Sequence, residues 1–132
     1  MGYACYCAAV RAASRKMTAL YDGALAPGGI NIAQFSLLRR IERAGALSLT
    51  ELGRRAELDR STIGRNVRVL EKLALVRLAS AKDQREAAVS LTEAGRDALK
   101  RAAPLWEEAQ ARIESALGSD GARALKTLAD AL

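Results

Sequence analysis

The side chains in this chain that could do chemistry are mostly arginines and lysines, and histidine is absent. Without histidine the chain has no Ser-His-Asp triad, no histidine general base and no His-ligated zinc or haem site. Between residues 60 and 77, five basic side chains accompany one acidic side chain, Glu71. The basic ones are Arg60, Arg65, Arg68, Lys72 and Arg77. Such a local excess suits a polyanionic partner, although a solvated helix face has the same composition.

The positive charge is concentrated in the first two-thirds of the chain. Residues 1–91 hold 15 basic and 8 acidic side chains, whereas residues 92–132 hold 6 and 7. A chain of 132 residues is expected to form one domain. Its aromatic content of 4% is too low for platforms that stack on single-stranded nucleic acid. The absence of a long apolar run and of a signal-peptide pattern predicts a cytoplasmic protein with no membrane span.

The other reactive side chains are two cysteines, Cys5 and Cys7. At positions two apart on an ideal helix they point about 200° apart, which disfavours a disulfide or a chelate within one chain unless the terminus frays. Burial as small apolar side chains is one interpretation. A redox sensor is a second, because Arg11, one helical turn from Cys7, could favour the thiolate, and metal or other thiol chemistry is a third. The sequence predicts no metal site and no cofactor.

Apolar spacing and capping residues predict the helices that position these side chains. In the first two-thirds of the chain, helices are expected over residues 4–25, 31–45, 50–56 and 60–74. The second and third begin at sequences of the capping-box type, Asn31 with Gln34 and Ser48 with Glu51. Asp59 is a candidate N-cap for the fourth.

The fourth helix and the segment after it form the pattern of a winged helix-turn-helix. The apolar stripe of this helix is Ile63, Val67, Leu70 and Ala74. A rotation of about 100° per residue places the polar residues opposite this stripe. They are Ser61, Arg65, Arg68 and Lys72, flanked by Thr62 and Gly64. Apolar and polar residues then alternate over 76–80 and 87–91, around a charged tip at 81–85, as in a β-hairpin. The predicted fold class is mainly α with a small β-hairpin wing.

The last third of the chain is predicted to be helical. Thr92 is its expected N-cap, and Pro104 predicts a kink or break near 101–104. Gly118 is expected to end this helix, before a short last helix that begins at Ser119. Apolar residues recur every seven positions, at Leu99, Trp106 and Ile113. Such a stripe favours an internal core or a dimer seam over a cofactor site.

Helix and wing together favour binding to double-stranded DNA. A helix fits the major groove of B-DNA, where arginine can reach guanine and short hydroxyl side chains can reach bases or phosphates. A charged hairpin tip can lie on the adjacent minor groove. Gly64 has two explanations, a close approach of the backbone to DNA or a tolerated surface glycine.

Several motifs resemble those of the MarR family, the multiple antibiotic resistance regulators. They are Ser61-Thr62-Ile63, Leu70-Glu71-Lys-Leu-Ala-Leu75-Val76, Asp83-Gln-Arg85 and Leu91-Thr92-Glu-Ala-Gly95. The resemblance covers essentially the whole chain. It implies a homodimeric winged-helix repressor or activator, in which residues 31–91 bind DNA and residues 1–30 and 92–132 form the dimerisation helices.

The resemblance also implies which residues meet DNA. Arg85 would enter the minor groove, and Asp83 would orient it. Two-fold symmetry places the half-sites of a palindromic operator about 10 bp apart. The expected DNA contacts, from charge and resemblance together, are Ser48, Thr50, Arg60, Ser61, Thr62, Gly64, Arg65, Arg68, Lys72, Arg77, Lys82 and Arg85.

A small ligand or an oxidant is expected to weaken DNA binding, again by resemblance. The sequence from Cys7 to Thr18 is similar to a branch of the family that senses organic hydroperoxides, in which Tyr21 would hydrogen-bond the thiol. The alternative is a small aromatic effector in a pocket lined by Tyr21, Phe35 and Trp106.

The residues are less consistent with two other classes of function. A winged-helix module that binds only protein has no need for clustered arginines beside its wing. An enzyme is not supported, because the sequence shows no paired acid and base, no glycine-rich phosphate loop and no nucleophile motif.

Overall fold

The computed structural model describes residues 5–79 and 87–132 and has the predicted winged helix-turn-helix architecture. Its helices are α1 (Tyr6–Leu25), α2 (Ile32–Ala44), α3 (Leu49–Ala56), α4 (Arg60–Lys72) and α5 (Glu93–Ala131). Its strands are β1 (Ala46–Ser48), β2 (Val76–Ala79) and β3 (Ala88–Leu91). A 3-10 turn, Ala26–Gly28, joins α1 to the segment before α2. No helix in these two ranges combines the length and apolar character needed to cross a membrane.

Strand β1 is an element that the sequence patterns do not predict. The three strands form an antiparallel sheet in the order β1-β3-β2. Val89 at its centre is paired with Leu47 on one side and with Leu78 on the other. Three residues are too few to show an alternation, so β1 is recognisable only once β3 lies beside it.

One hydrophobic core joins the helices to the sheet. Its largest fully buried side chains are Leu25, Leu38, Ile41, Leu52, Ile63, Val67, Leu70 and Val89. The heptad stripe of α5 divides between two environments. Leu99 is buried in this core and Trp106 packs against it, whereas Ile113 is half-buried and is not part of it. The first half of the stripe is therefore internal core.

The helix caps confirm most of the predicted starts. Asn31 and Gln34 form a complete capping box, with the Gln34 backbone N–H donating to Asn31 Oδ1 at 2.9 Å and the return bond at 3.0 Å. Ser48 Oγ accepts from the Glu51 backbone N–H at 3.1 Å, but the Glu51 side chain does not return to it. The second predicted capping box is therefore only half formed, because two arginines of α3 take the Glu51 carboxylate.

The break expected near Pro104 is wrong. α5 continues through Pro104, and the residue inside it with non-helical angles is Gly118 (φ 72°, ψ 170°). Pro104 and Lys100, four residues before it, are both exposed, so the proline lies on the solvent side of α5. The predicted change of helix at Gly118 is confirmed.

The segment Leu91-Thr92-Glu-Ala-Gly95 joins the end of α4 to the start of α5. Thr92 Oγ1 accepts from the Gly95 N–H at 3.0 Å and donates to the Ala74 carbonyl at 2.6 Å. The Thr92 N–H donates to the Leu75 carbonyl at 3.1 Å. A Cβ on Gly95 would lie 2.1 Å from that same carbonyl oxygen. This motif is therefore explained by packing, since only glycine allows α5 to approach the turn so closely.

Candidate nucleic-acid interface

Helix α4 presents a polar surface to solvent. Its residues Ile63, Val67 and Leu70 are buried, as the apolar stripe predicts. The opposite side, here called the α4 polar face, consists of four exposed residues: Ser61, Arg65, Arg68 and Lys72. Three positive charges thus lie along one side of a 13-residue helix, in the arrangement that suits a groove lined by phosphates.

A tight turn between α3 and α4 fixes the direction of that face. Glu57 ends α3 in the left-handed conformation (φ 55°), and the Leu58 N–H donates back to the Gly53 carbonyl at 2.9 Å. A Cβ on Gly53 would lie 3.2 Å from the Leu58 carbonyl oxygen and 3.3 Å from Ile63 Cγ2. The two helices therefore pack at close range, and α3 holds the start of α4.

The first turn of α4 is organised by Asp59. Its carboxylate accepts from the Thr62 backbone N–H at 2.8 Å and from Ser61 Oγ at 2.9 Å. The hydrogen bond from the Thr62 backbone N–H is the largest cause of a lowered pKa at Asp59, and the hydrogen bond from the Ser61 hydroxyl is the second. Arg65 Nη2 lies 3.5 Å from Thr62 Oγ1. Because the Ser61 hydroxyl already donates to Asp59, it offers lone pairs outward and suits a donor on a base edge.

The carboxylate of Glu51 links the first two turns of α3. It accepts from Arg54 Nε at 2.9 Å and from Arg55 Nε at 2.9 Å. The hydrogen bond from Arg54 and, as the second largest cause, the hydrogen bond from Arg55 lower the pKa of Glu51 from its ordinary 4.5 to about 2. These contacts hold both arginines beside the start of α3.

Replacing Glu51 with glutamine is expected to remove a pH-dependent part of the stability. Because the folded-state pKa is depressed, the contribution of this carboxylate is present above 4.5 and is lost as the pH falls toward 2. The effect is small, since the ion pairs are exposed and screened by solvent. Urea unfolding at several pH values across this window should show wild type and Glu51→Gln converging at low pH. A stability difference that stays constant with pH would contradict this assignment.

The remaining predicted contact residues are distributed around α4. Arg60, Arg77 and Thr50 are exposed, whereas Thr62 and Gly64 are half-buried. The hydroxyl of Ser48, also half-buried, is engaged as the N-cap of α3. Lys82, Asp83 and Arg85 lie outside the described residues. Helix α4 packs against both α3 and β2, so the predicted residues of these three elements lie in one part of the fold.

Both cysteines lie at the start of α1 and are exposed in the single chain. This exposure is at odds with their interpretation as buried small side chains. Cys5 precedes the helix in an extended conformation, so the 200° separation of an ideal helix does not apply to the pair. Cys7 and Arg11 line a cavity of about 580 Å³ together with Leu125 and Leu128 of α5.

The three aromatic residues predicted to line an effector pocket lie in two places. Tyr21 donates a hydrogen bond to Gln110 Oε1, and burial, together with the charge of Glu114, raises the pKa of Tyr21. Phe35 instead stacks on Trp106, with ring centroids 5.7 Å apart. The expectation of one pocket shared by all three is therefore wrong, because α2 directs its aromatic side chain to a different part of α5.

Arginines around this aromatic stack were not singled out from the sequence. Arg39 lies over both rings, and Arg40 and Arg43 follow it on the same side of α2. From the sequence alone, these arginines cannot be distinguished from those of an ordinary solvent-exposed helix face. Only the packing of Trp106 against α2 reveals that they surround a cavity.

Known proteins resemble this chain in sequence and in fold. A sequence model of the MarR family matches residues 28–86. An HTH-type transcriptional repressor of Mycobacterium tuberculosis is 32% identical over 112 residues, which is 84% of this chain and 81% of that protein. The crystal structure of the M. tuberculosis transcriptional regulator MosR in complex with DNA has a TM-score of 0.87 at 35% identity, covering 96% of this chain and 92% of that one.

A mutant MarR from E. coli, solved in complex with operator DNA, shares the fold with a TM-score of 0.81. That match has 24% sequence identity and covers 92% of this chain and 88% of the other. Together with the relative that is 32% identical over most of both chains, these similarities agree with the helices and the sheet described above. The chain belongs to the MarR family of winged-helix transcriptional regulators.

Proposed function

We propose that this protein is a homodimer that binds double-stranded DNA at a specific operator and represses transcription. The observation that carries the proposal is the α4 polar face, held outward by the tight turn from α3. Two relatives support it, since one is named a transcriptional repressor and MosR was solved in complex with DNA.

In the proposed complex, α4 lies in the major groove. Arg65 and Arg68 reach base edges or phosphates, and the start of α3 meets the backbone through Ser48 and Thr50. The wing, through Lys82 and Arg85, lies on the minor groove, and Asp83 orients Arg85. The remaining proposed contacts are Arg60, Ser61, Thr62, Gly64, Lys72 and Arg77.

The proposed dimer is formed by the two ends of the chain, residues 1–30 and 92–132. Large apolar side chains are exposed there in the single chain, including Val10 at 47%, Leu125 at 45% and Leu128 at 38%. A second copy that covers them would remove this apolar surface from water. The charge of the last segment is consistent with a dimer. Residues 92–132 hold six basic and seven acidic side chains, so two copies of this segment would not repel each other strongly.

A gel-shift experiment tests the DNA proposal. The probe is the DNA beside the gene that encodes this protein, compared with an unrelated fragment of equal length at two salt concentrations. We expect specific binding that weakens as salt rises, because phosphate contacts release counterions. No binding at low salt would contradict the proposal and favour the alternative, a winged-helix module that binds only protein.

Oxidation of Cys7 is the proposed signal for release from DNA. The Cys7 thiolate attacks the terminal oxygen of a hydroperoxide. The S–O bond forms as the O–O bond breaks, which leaves a sulfenic acid on Cys7 and an alkoxide that takes a proton from water to leave as an alcohol. Cys7 lies in the first turn of α1, within the segment that is proposed to form the dimer. Because Cys7 lines one cavity with Leu125 and Leu128, a polar oxidised sulfur there would disturb the packing of the two ends of the chain.

The Cys7→Ser variant is expected to bind the operator as wild type does but to stay bound after peroxide treatment. The readout is fluorescence anisotropy of labelled operator before and after addition of an organic hydroperoxide. Cys5→Ser is the matched control, since it removes the thiol outside the helix. If Cys7→Ser is released as fully as wild type, Cys7 is not the sensor and a small-molecule effector becomes the better explanation.

A further inference from the structure

A cavity lined by arginines lies on α2, away from the cysteines. Ser36, Arg39, Arg40 and Arg43 lie within two helical turns of one another and share one side of the helix. With Phe35 and Trp106 they line a cavity of about 200 Å³, here called the arginine cavity. Neither the proposed DNA interface nor the proposed sensor uses these residues.

The wall of the arginine cavity is ordered by aromatic packing. Phe35 is buried and stacks on Trp106 with an angle of 20° between the ring planes. The Arg39 Cζ atom lies 5.5 Å from the centroid of Phe35 and 5.2 Å from that of Trp106. The guanidinium is therefore held in place by cation–π contact, and its N–H edge stays available to a ligand.

Within the described residues, no ion pair neutralises the positive charge of this cavity. Over residues 5–79 and 87–132, the side-chain ion pairs within 4.0 Å do not include Arg39, Arg40 or Arg43. Arg43 lies in the last turn of α2, where the helix dipole stabilises a positive charge. Arg40 and Arg39 lie three and four residues before it, so the three like charges repel one another. A bound anion would relieve this repulsion.

The arginine cavity opens on a different side of α2 from α4. The side that borders α4 carries Gln34 and Leu37, which line a separate cavity with Asn66 and Val69. At about 100° per residue, that side lies roughly 140° around the helix from the mean direction of the arginine side chains. A duplex seated on α4 is therefore not the partner that this geometry favours.

We propose that the arginine cavity binds a small multivalent oxyanion, of the class of phosphate monoesters and dicarboxylates. Each guanidinium has five N–H donors in a planar fork that pairs with two oxygens of one anionic group. Three such groups suit a ligand with at least two negative charges. The Ser36 hydroxyl adds a donor, and a volume of about 200 Å³ accommodates a small anion.

Trp106 provides the readout, because it is the only tryptophan of the chain. The full-length protein is titrated with inorganic phosphate and, separately, with malonate, at constant ionic strength maintained with chloride. We expect a saturable change in tryptophan emission with at least one of them. The anion that binds more tightly shows whether the cavity prefers a phosphate or a dicarboxylate. In the double variant Arg40→Gln/Arg43→Gln, the apparent Kd should rise by about tenfold or more, since two charge-assisted pairs are lost.

The matched control is Arg101→Gln/Arg112→Gln, which removes the same charge from exposed positions on α5. This control should bind the anions as wild type does. The proposal is overturned if emission shows no saturable change with either anion, or if both double variants lose binding equally. It is also overturned if Arg40→Gln/Arg43→Gln retains anion binding but loses operator binding, which would assign these arginines to the DNA backbone. The anion titration contains no DNA, so it succeeds or fails independently of the proposed function.

Discussion

Replacing Arg65 with alanine is expected to weaken operator binding by about 30-fold or more while leaving the fold intact. A good arginine contact to a base pair contributes about 1–3 kcal/mol, and a dimer loses one in each half-site. Arg65 is exposed near the middle of the α4 polar face, and its described side-chain contact is with Thr62 at 3.5 Å. Little internal packing is therefore lost with the side chain.

Fluorescence anisotropy with labelled operator measures this loss, and sedimentation checks that the variant is still a dimer. Arg101→Ala is the matched control, because it removes the same charge from an exposed position on α5. It should bind nearly as well as wild type. Equal losses in both variants would mean that net charge alone drives binding, and a monomeric Arg65→Ala protein would show that this surface belongs to the dimer interface.

Replacing Gly95 with alanine is expected to lower the free energy of unfolding by about 3 kcal/mol, in the upper part of the range for overpacked sites. The added Cβ would lie 2.1 Å from the Leu75 carbonyl oxygen, and a backbone atom cannot rotate away as a side chain can. That carbonyl also accepts from the Thr92 N–H, so any shift disturbs the joint between α4 and α5. Urea unfolding at one fixed protein concentration measures the change.

Gly64→Ala is the matched control for this prediction. No heavy atom outside its own helix backbone and neighbours lies within 4 Å of a Cβ at Gly64, so alanine should stabilise α4 by about 1 kcal/mol. The same variant separates the two explanations of this glycine. Weaker operator binding from a more stable protein would indicate close approach to DNA, and unchanged binding would indicate a tolerated surface glycine. If Gly95→Ala is as stable as Gly64→Ala, the close packing at Leu75 is not what selects glycine there.

The helices were predictable because their signals are local. Asn31, Asp59 and Thr92 are each recognisable as caps from a few neighbouring residues, and all three cap helices in the structure. Strand β1 was not predictable, since it depends on pairing with a segment about forty residues away. The break predicted at Pro104 was wrong because the effect of a proline depends on which side of the helix faces solvent, and the sequence alone does not show this.

The same distinction between local signals and contacts across the fold applies to the candidate site. The polar side of α4 follows from helical periodicity, and its exposure agrees with the prediction. The function of Glu51 as a partner of Arg54 and Arg55 was missed, because the same residue also fits a capping box. The arginine cavity was missed because it needs Trp106 of α5 to pack against α2, a contact between residues far apart in the chain.

A footprint of the protein on the DNA beside its own gene tests the central claim most directly. Two copies of the α4 polar face, related by a two-fold axis, should each enter a major groove. The account predicts two protected half-sites with centres about 10 bp apart in an imperfect palindrome, and it predicts that both disappear together in Arg65→Ala. Uniform protection without half-sites, or a single protected half-site, would contradict a dimer that reads DNA through α4.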